Sequence, residues 1–228
     1  MPIETVLETG STNDDLIARA AAGAPEGLWL RAEVQTGGKG RQGRAWMSPP
    51  GNLYASTLVR LRAGDPPAPT LALVSAVALH EAVSIYAPGV RIKWPNDLLA
   101  EGAKLAGILL ERSGDAVVVG VGVNLAHHPD GLDRPVTSLA RLTGAATDAG
   151  AFVELLADTF ARWLGRWRGE GVGPIRRAWL AAAHPVGTAL STSEGDGLFD
   201  GLDEDGALRL RLADGSSRII HAGDVFLI

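Results

Sequence analysis

The chain has 228 residues, a net charge of −5, 46% hydrophobic and 21% charged residues, and no cysteine. This composition is typical of a globular protein; it argues against nonspecific nucleic-acid binding and excludes disulfides and cysteine-ligated metals. No secretory signal is visible, and the longest apolar stretch, residues 71–79, is shorter than the about 20 residues that span a bilayer. We therefore expect a cytoplasmic protein with no membrane partner.

The first half of the chain is predicted to form a capped helix, two strands around a glycine-rich loop, and a second helix. Ser11 suits the N-cap of the first helix, and Gly23 can close its C-terminus. The predicted strands are residues 28–34 and 53–61, and the second helix runs from about 70 to 86.

The second half contains three β-like segments, two helices and a β-rich tail. The β-like segments are 90–94, 106–111 and 116–124, and the last two form a predicted hairpin. Helical patterns follow at 151–168 and 174–183. After residue 185, short β-like runs are separated by turn signals at 195–197, 203–206 and 214–215, which predicts a small β-barrel. Helices set against antiparallel strands indicate the α+β class.

A basic glycine-rich loop, Gln35-Thr-Gly-Gly-Lys-Gly-Arg-Gln-Gly-Arg-Ala-Trp46, follows the first predicted strand. Its glycines let the backbone approach a ligand closely, and Lys39, Arg41 and Arg44 stand among them. The loop matches neither the P-loop pattern GxxxxGK[ST] nor the dinucleotide fingerprint GxGxxG. A flexible surface turn and a cradle for a phosphate are both consistent with it. We call residues 35–46 the glycine loop.

Lys93-Trp-Pro-Asn-Asp97 places a cation and a carboxylate around a proline corner at the end of a strand. Lys104 opens an apolar strand beside the small Gly107, so its amine can project into a cleft. Either lysine alone is commonly a solvated strand end. The two lysines, Asp97 and the glycine loop together indicate an anion-binding site.

Two further motifs give weaker signals. Gly120-Val-Gly-Val-Asn124 lacks the third glycine of a dinucleotide motif. Its glycines are better suited to let a ring or another backbone lie flat against the strand, with Asn124 able to bond a ligand edge. His127-His128 has no third metal ligand at a useful spacing, so we predict no protein-held metal site.

Taken in order, these segments resemble the biotin–protein ligase family, the biotin–[acetyl-CoA-carboxylase] ligases. The matching segments are Ser11-Thr-Asn13, 38–46, 93–98, 104–111 and 120–125, and Ala222-Gly-Asp-Val225 is similar to the family's closing β-barrel signature. The resemblance covers nearly the whole chain. It implies a catalytic domain at residues 1–184, built on a mixed sheet like those of class II aminoacyl-tRNA synthetases and biotin–lipoate transferases. An SH3-like β-barrel at residues 185–228 would follow it.

The resemblance also implies a two-step reaction. Biotin and ATP, with Mg²⁺ shared by the ATP oxygens, give biotinyl-5′-AMP and diphosphate. The biotinyl group then passes to a lysine of the biotin carboxyl carrier protein of acetyl-CoA carboxylase or a related carboxylase. Family members are monomers or homodimers, and the sequence does not choose between them.

The implied catalytic residues are Lys104, Arg41 and Asp97, with Asp97 as a base or an orienting group for the acceptor amine. The implied biotin-binding residues are Ser11, Thr12, Asn13, Gln35, Lys39, Gly40, Arg41 and Lys104. The implied ATP-binding residues are Lys39, Arg41, Trp46, Lys93 and Asn124, with Asn124 meeting the adenine. We expect residues near 38–46 to become ordered when biotin or the adenylate binds.

Two departures from the family pattern bear on function. Lys39 stands where the family usually has arginine, which keeps the charge but loses the bidentate fork. About ten residues precede the first motif, so we expect a ligase without a helix-turn-helix and no DNA partner. Three alternatives remain open: a lipoate or octanoate protein ligase, a biotin-responsive regulator, and a noncatalytic ligand-binding protein.

Overall fold

The larger of two β-sheets in the computed structural model, which describes residues 2–228, has seven strands. Its strands are β1 (Ile3–Thr9), β2 (Trp29–Gln35), β3 (Leu53–Arg60), β4 (Arg91–Lys93), β5 (Asp97–Ala100), β6 (Ala103–Ser113) and β7 (Ala116–Val123). They lie in the order β1-β2-β3-β7-β6-β5-β4. The β1–β2 pair is parallel and the other pairs are antiparallel.

Helices cover both faces of this sheet. They are α1 (Thr12–Ala21), α2 (Leu71–Ser84), α3 (Leu139–Thr143), α4 (Ala149–Glu170) and α5 (Val172–Ala182). On one face, Leu16 of α1 packs in a small cluster with Leu30, Leu58 and Val118. The neighbouring strand residues point to the other face, where α2, α4 and α5 build the main core. No helix within residues 2–228 is long and apolar enough to cross a membrane.

The second sheet is small, antiparallel and C-terminal. Its strands are β8 (Ala189–Thr192), β9 (Gly195–Leu202), β10 (Leu208–Arg211), β11 (Ser217–Ile220) and β12 (Val225–Leu227), in the order β11-β10-β9-β8-β12. The Trp179 and Phe199 rings pack together at 6.3 Å between centroids, and Trp94 Nε1 donates to Gly206 O at 3.1 Å. These contacts join the small sheet to the larger part of the chain.

The structure confirms the α+β class and most predicted elements, with boundaries shifted by a few residues. Ser11 is the N-cap of α1, where its hydroxyl accepts from Asp14 N. The predicted hairpin is β6–β7, in register from Ser113↔Ala116. Three elements were not predicted: β1, β5 and α3. β1 is an edge strand whose side chains are mostly exposed, so it carries little hydrophobic alternation.

One predicted turn is wrong. Gly195-Asp-Gly197 lies inside β9, and the chain reverses just before it. A Cβ on Gly197 would lie 2.6 Å from the carbonyl oxygen of Arg211 on the neighbouring strand. The glycine therefore serves close strand approach here, which a sequence pattern does not distinguish from turn chemistry.

A network of ion pairs fastens the loop before β2 to α4 and to the end of β3. Arg168 donates two hydrogen bonds to Glu26, at 2.7 and 2.8 Å, and also pairs with Asp65 at 3.3 Å. Arg62 and the backbone N–H of Arg60 donate to the same Glu26 carboxylate. The hydrogen bond from Arg168 is the main cause that lowers the pKa of Glu26 from 4.5 to about 2.

We expect Glu26→Gln to lower the free energy of unfolding at pH 7 by about 1–3 kcal/mol, the range for a charge-assisted, partly solvent-screened pair. Because the pKa of Glu26 is depressed by folding, its contribution is complete above pH 4.5 and is lost as the pH falls through about 2. Urea denaturation of both proteins should therefore give a difference that shrinks below pH 4.5. Glu170→Gln, which breaks the exposed Arg166 pair, is the control and should cost much less. A difference independent of pH would contradict this account.

Candidate active site

One cavity over the face of the larger sheet that carries α1 gathers residues from both sheets and from the glycine loop. All the predicted site residues except Asn124 line it: Ser11, Thr12, Asn13, Gln35, Lys39, Gly40, Arg41, Trp46, Lys93, Asp97 and Lys104. Residues far apart in sequence meet because strands β3, β7, β6, β5 and β4 are neighbours in the sheet.

The inner end of the cavity is a row of neutral hydrogen-bonding groups at the start of α1. Gln35 Oε1 accepts from Thr12 N at 2.9 Å and lies 3.1 Å from Thr12 Oγ1. Thr12 Oγ1 lies 2.7 Å from Ser56 Oγ, which donates to Asn13 Oδ1 at 2.6 Å. Asn13 Nδ2 donates to Glu111 Oε2 at 2.7 Å. This row can recognise a neutral ligand that carries both donors and acceptors.

The sequence did not reveal Ser56, a member of this row, or the Glu111 carboxylate that holds the end of the row through Asn13. Each lies within an apolar strand, β3 or β6, and neither belongs to a polar motif. Ser56 is fully buried. Buried polar side chains are normally paired, so a serine within a strand of apolar residues is a usable signal for such a network.

The glycine loop forms a short irregular hairpin over the cavity. Trp46 N donates to Gly38 O at 2.9 Å, and Gly40 N donates to Arg44 O at 2.7 Å. Lys39 Nζ contacts both carboxylate oxygens of Asp14, at 2.8 and 2.7 Å. Both side chains are about half exposed, so this pair can exchange for another anion at little cost.

The same loop contacts the segment just before β12 and the corner between β4 and β5. Arg41 donates to Gly223 O at 3.2 Å and to Asn96 Oδ1 at 3.4 Å. Arg44 pairs with Asp224 at 2.9 Å. The C-terminal segment therefore forms part of the cavity wall and holds the loop in place.

Two buried lysines share one carboxylate at the centre of the cavity. Lys104 Nζ lies 2.5 Å from Asp97 Oδ1 and Lys93 Nζ lies 3.6 Å from Oδ2. The Lys104 contact is an ion pair by distance, although the amine is not aligned as a hydrogen-bond donor to Oδ1. Burial lowers the pKa of both lysines, and the attraction of Asp97 opposes that effect. One negative charge is thus shared by two positive charges, which leaves the centre of the cavity positive.

Trp46 lies flat against the sheet above this centre. A Cβ on Gly122 would be 2.6 Å from Trp46 Cε2, and one on Gly107 would be 3.2 Å from its ring. Lys104 Nζ lies 5.4 Å from the Trp46 ring centroid, within the range of a cation–π contact. We predicted that the glycines of Gly120-Val-Gly122, on β7, let a ring lie flat against the strand. This is confirmed for Gly122.

Asn124 occupies a different position. It is buried outside the cavity, where its Nδ2 donates to Thr137 O at 3.0 Å and its backbone N–H donates to Leu105 O at 3.0 Å. Its carbonyl oxygen accepts from Leu139 N at 2.9 Å. In this structure Asn124 fastens the segment after β7 to β6 and α3, and its contact with adenine stays a prediction.

The histidines form no metal centre in the described part of the chain, residues 2–228, where no group of three His, Cys, Asp or Glu side chains is placed to hold an ion. His128 Nδ1 lies 3.0 Å from Ser138 Oγ, and His80 Nε2 lies 3.0 Å from Val90 O. Burial lowers the pKa of His80, consistent with a neutral structural side chain.

We expect Asp97→Asn to reduce the free energy of unfolding at pH 7 by about 3 kcal/mol, because it leaves two buried ammonium groups without their counter-charge. The folded-state pKa of both lysines is depressed, so their charging opposes folding below that pKa and the penalty fades as the pH rises. Urea denaturation at pH 7 and pH 9.5 measures this. Asp115→Asn, at an exposed pair with Arg60, is the matched control. An equal loss at both pH values would contradict the assignment.

Two family models match the chain. The biotin/lipoate A/B protein ligase family matches residues 11–124, and the biotin protein ligase C-terminal domain matches residues 195–228. The first covers α1, the glycine loop and strands β2 to β7. The second covers most of the small sheet, including the segment that contacts the glycine loop.

Named relatives and a solved structure agree with these matches. The chain is 42% identical to a biotin–[acetyl-CoA-carboxylase] ligase of Paracoccus denitrificans, over 97% of this chain and 98% of the relative. It is 35% identical to the Mycobacterium tuberculosis protein of the same name, over 98% and 88%. The fold superposes with a TM-score of 0.90 on the Aquifex aeolicus biotin protein ligase in complex with biotin and ATP, at 25% identity, over 100% of this chain and 99% of that one. The chain therefore belongs to the biotin–protein ligases of the biotin/lipoate A/B protein ligase family.

Proposed function

We propose that this protein is an ATP-dependent biotin–[acetyl-CoA-carboxylase] ligase. It would join biotin and ATP to give biotinyl-5′-AMP and diphosphate, and then transfer the biotinyl group to a lysine of a biotin carboxyl carrier protein. The observation that carries the proposal is the cavity itself, which has a neutral hydrogen-bonding row at one end and buried cations at the other. Family membership supplies the substrate class.

The neutral row suits the ureido ring of biotin, which presents both N–H donors and a carbonyl acceptor. Thr12 and Gln35 offer matching groups, and Ser11 and Asn13 stand beside them. A lipoyl or octanoyl chain has no ring donors or acceptors, so it could form none of the hydrogen bonds that this row offers to a ligand. Biotin is therefore favoured over the lipoate or octanoate alternative.

The cationic end suits the chemistry of the first step. The biotin carboxylate is the nucleophile, so no serine or cysteine nucleophile is needed. The protein must hold two anions together and stabilise the charge that accumulates at the α-phosphorus. Lys104 is nearly buried at this point beside Asp97 and Lys93, and Arg41 and Lys39 line the same cavity. We assign Trp46, whose ring lies over Lys104, and Lys93 to the ATP side.

In the second step the acceptor lysine attacks the mixed anhydride. Asp97 is paired with both cavity lysines, so its carboxylate oxygens are already engaged by two cations. These contacts support an orienting role: Asp97 would fix Lys104 against the reacting carbonyl and phosphate oxygens. The acceptor amine would lose its proton to solvent or to a substrate oxygen.

Magnesium enters as a companion of ATP. The carboxylates that line the cavity, Asp97 and Asp224, are already paired with cations. The described residues thus offer no free carboxylate set for an ion, and ATP phosphate oxygens would carry Mg²⁺ into the site. Neither of the two proposed steps requires the protein itself to hold Mg²⁺.

We also propose a role for each of two domains and an acceptor for the biotinyl group. Residues 1–184 would form the catalytic domain and residues 185–228 an SH3-like barrel that completes the cavity wall. The acceptor would be the carrier protein of acetyl-CoA carboxylase or a related enzyme, in the cytoplasm. The net charge of −5 gives no support to a DNA partner.

Purified protein incubated with biotin and α-labelled ATP should form biotinyl-AMP, and adding a carrier domain should label its lysine. Lys104→Met should slow adenylate formation by about 100-fold or more, the usual effect of losing one charge-stabilising donor. Arg112→Met, at the exposed end of the same strand, is the control and should leave the rate unchanged. Labelling with lipoate or octanoate instead of biotin would overturn the proposal, and so would a fully active Lys104→Met protein.

Lys39→Arg should slow the release of biotinyl-AMP by about fivefold, since one added charge-assisted hydrogen bond is worth about 1 kcal/mol. Arginine can keep the exposed Asp14 pair while presenting a second donor to the adenylate. Release is measured by trapping labelled adenylate as it leaves the enzyme. Lys39→Gln is the opposing control and should release it faster. Equal release from the wild-type and Lys39→Arg proteins would show that the second donor of the arginine makes no hydrogen bond to the adenylate.

A further inference from the structure

Arg134 is a cation of the cavity wall that no motif indicated. It lies on the segment that joins β7 to α3, at the border between the cavity and an open groove over residues 128–137. It is exposed. The ion pairs of the cavity join Asp97 to the two buried lysines and Asp224 to Arg44, and none within residues 2–228 reaches Arg134.

The backbone beside Arg134 is fixed to the strand that carries Lys104. Lys104 N donates to Pro135 O at 2.9 Å, and Thr137 N donates to Lys104 O at 2.9 Å. Val136 and Lys104 thus form a parallel bridge. Proline at 135 also restricts Arg134 to an extended backbone. Arg134 therefore stands at a set register next to Lys104 although its side chain is free.

The charge of Arg134 acts on the same site as the two lysines. Arg134 lines the same cavity as Lys93 and Lys104, and its charge is among the causes that lower the pKa of both lysines. Asp97 is then the one carboxylate paired with the lysines, since the other carboxylate of the cavity, Asp224, is paired with Arg44. A ligand with several negative charges would relieve this repulsion, whereas a neutral adenine ring would not.

We propose that Arg134 binds the β- and γ-phosphates of ATP and so holds the diphosphate leaving group. This rests on the proposed function. In the first step a biotin carboxylate oxygen bonds to the α-phosphorus, and the bond from that phosphorus to the bridging oxygen breaks. The electron pair leaves with diphosphate, on which negative charge accumulates. A free, planar guanidinium at the cavity mouth matches two phosphate oxygens at once.

The proposal separates Arg134 from the cations that act on the adenylate. Biotinyl-AMP has no β- or γ-phosphate, so its binding and its reaction with the carrier lysine should not need Arg134. Lys104, in contrast, would act in both steps. An effect confined to the triphosphate is thus the expected signature.

The test compares two ligands on one variant. With biotin bound, Arg134→Met should weaken binding of the ATP analogue α,β-methylene-ATP by about tenfold, as expected for a lost charge-assisted contact. Binding of a biotinyl sulfamoyl-adenosine, which mimics the adenylate, should stay within about twofold. Isothermal titration calorimetry measures both. Arg134→Lys should recover part of the loss, and Arg141→Met, in the neighbouring groove only, is the matched control.

The outcomes are distinguishable. If the wild-type protein binds both analogues and Arg134→Met changes neither or weakens both equally, the inference about Arg134 fails and the proposed function stands. If the wild-type protein binds neither analogue, the proposed function itself fails. Retained binding of the adenylate mimic also reports that the variant is folded.

Discussion

A single carboxylate, Asp97, lets two lysines lie buried in one cavity. Removing a charge from water is costly, and the Asp97 carboxylate offsets part of that cost for both lysines. The sheet supplies the geometry: β4 and β5 place Lys93 directly opposite Asp97, and β6 places Gly107 opposite it on the other side. Because Gly107 has no side chain, the Lys104 amine can lie across it and reach Asp97; a Cβ there would be 3.3 Å from Nζ. The outcome is a net positive, largely buried centre that is preorganised for an anion.

The second constraint is the flat glycine surface above that centre. Trp46 belongs to the loop between β2 and β3. Its ring rests on β7 and β6 and so covers the cavity. Its position fixes the glycine loop at one end, while Arg41 and Arg44 fix it to the C-terminal segment at the other. Two of the loop's side-chain contacts, Lys39 with Asp14 and Arg44 with Asp224, are solvent-exposed ion pairs. Such contacts are weak in water, so the loop can exchange them for those of an anionic ligand.

Much of this arrangement could be predicted because local patterns report local chemistry. The cap at Ser11, the proline corner before Asp97 and the basic glycine loop were each visible as short motifs, and the structure brings them to one cavity. What could not be predicted depends on strand register. Ser56 and Glu111 become site neighbours only through the β3–β7–β6 pairing, and Arg134 through its bridge to Lys104. A residue whose role is long-range pairing has no sequence signature of its own.

The hydrogen-bond donors and acceptors that remain free in the neutral row determine which ligand groups it can bind. The single proton of Ser56 goes to Asn13 Oδ1, so the hydroxyl of Thr12 must donate to Ser56 or to Gln35. Thr12 Oγ1 then has only acceptor capacity left, suited to a ligand N–H. Asn13 uses its amide protons on Glu111 and on Leu109 O, at 2.7 and 3.5 Å, so it acts mainly by orienting Ser56. Glu111 thereby sets the polarity of the whole row from its position on β6. The Glu111 carboxylate orients Asn13, and Asn13 orients Ser56. As a result, an N–H donor is the preferred partner of Thr12.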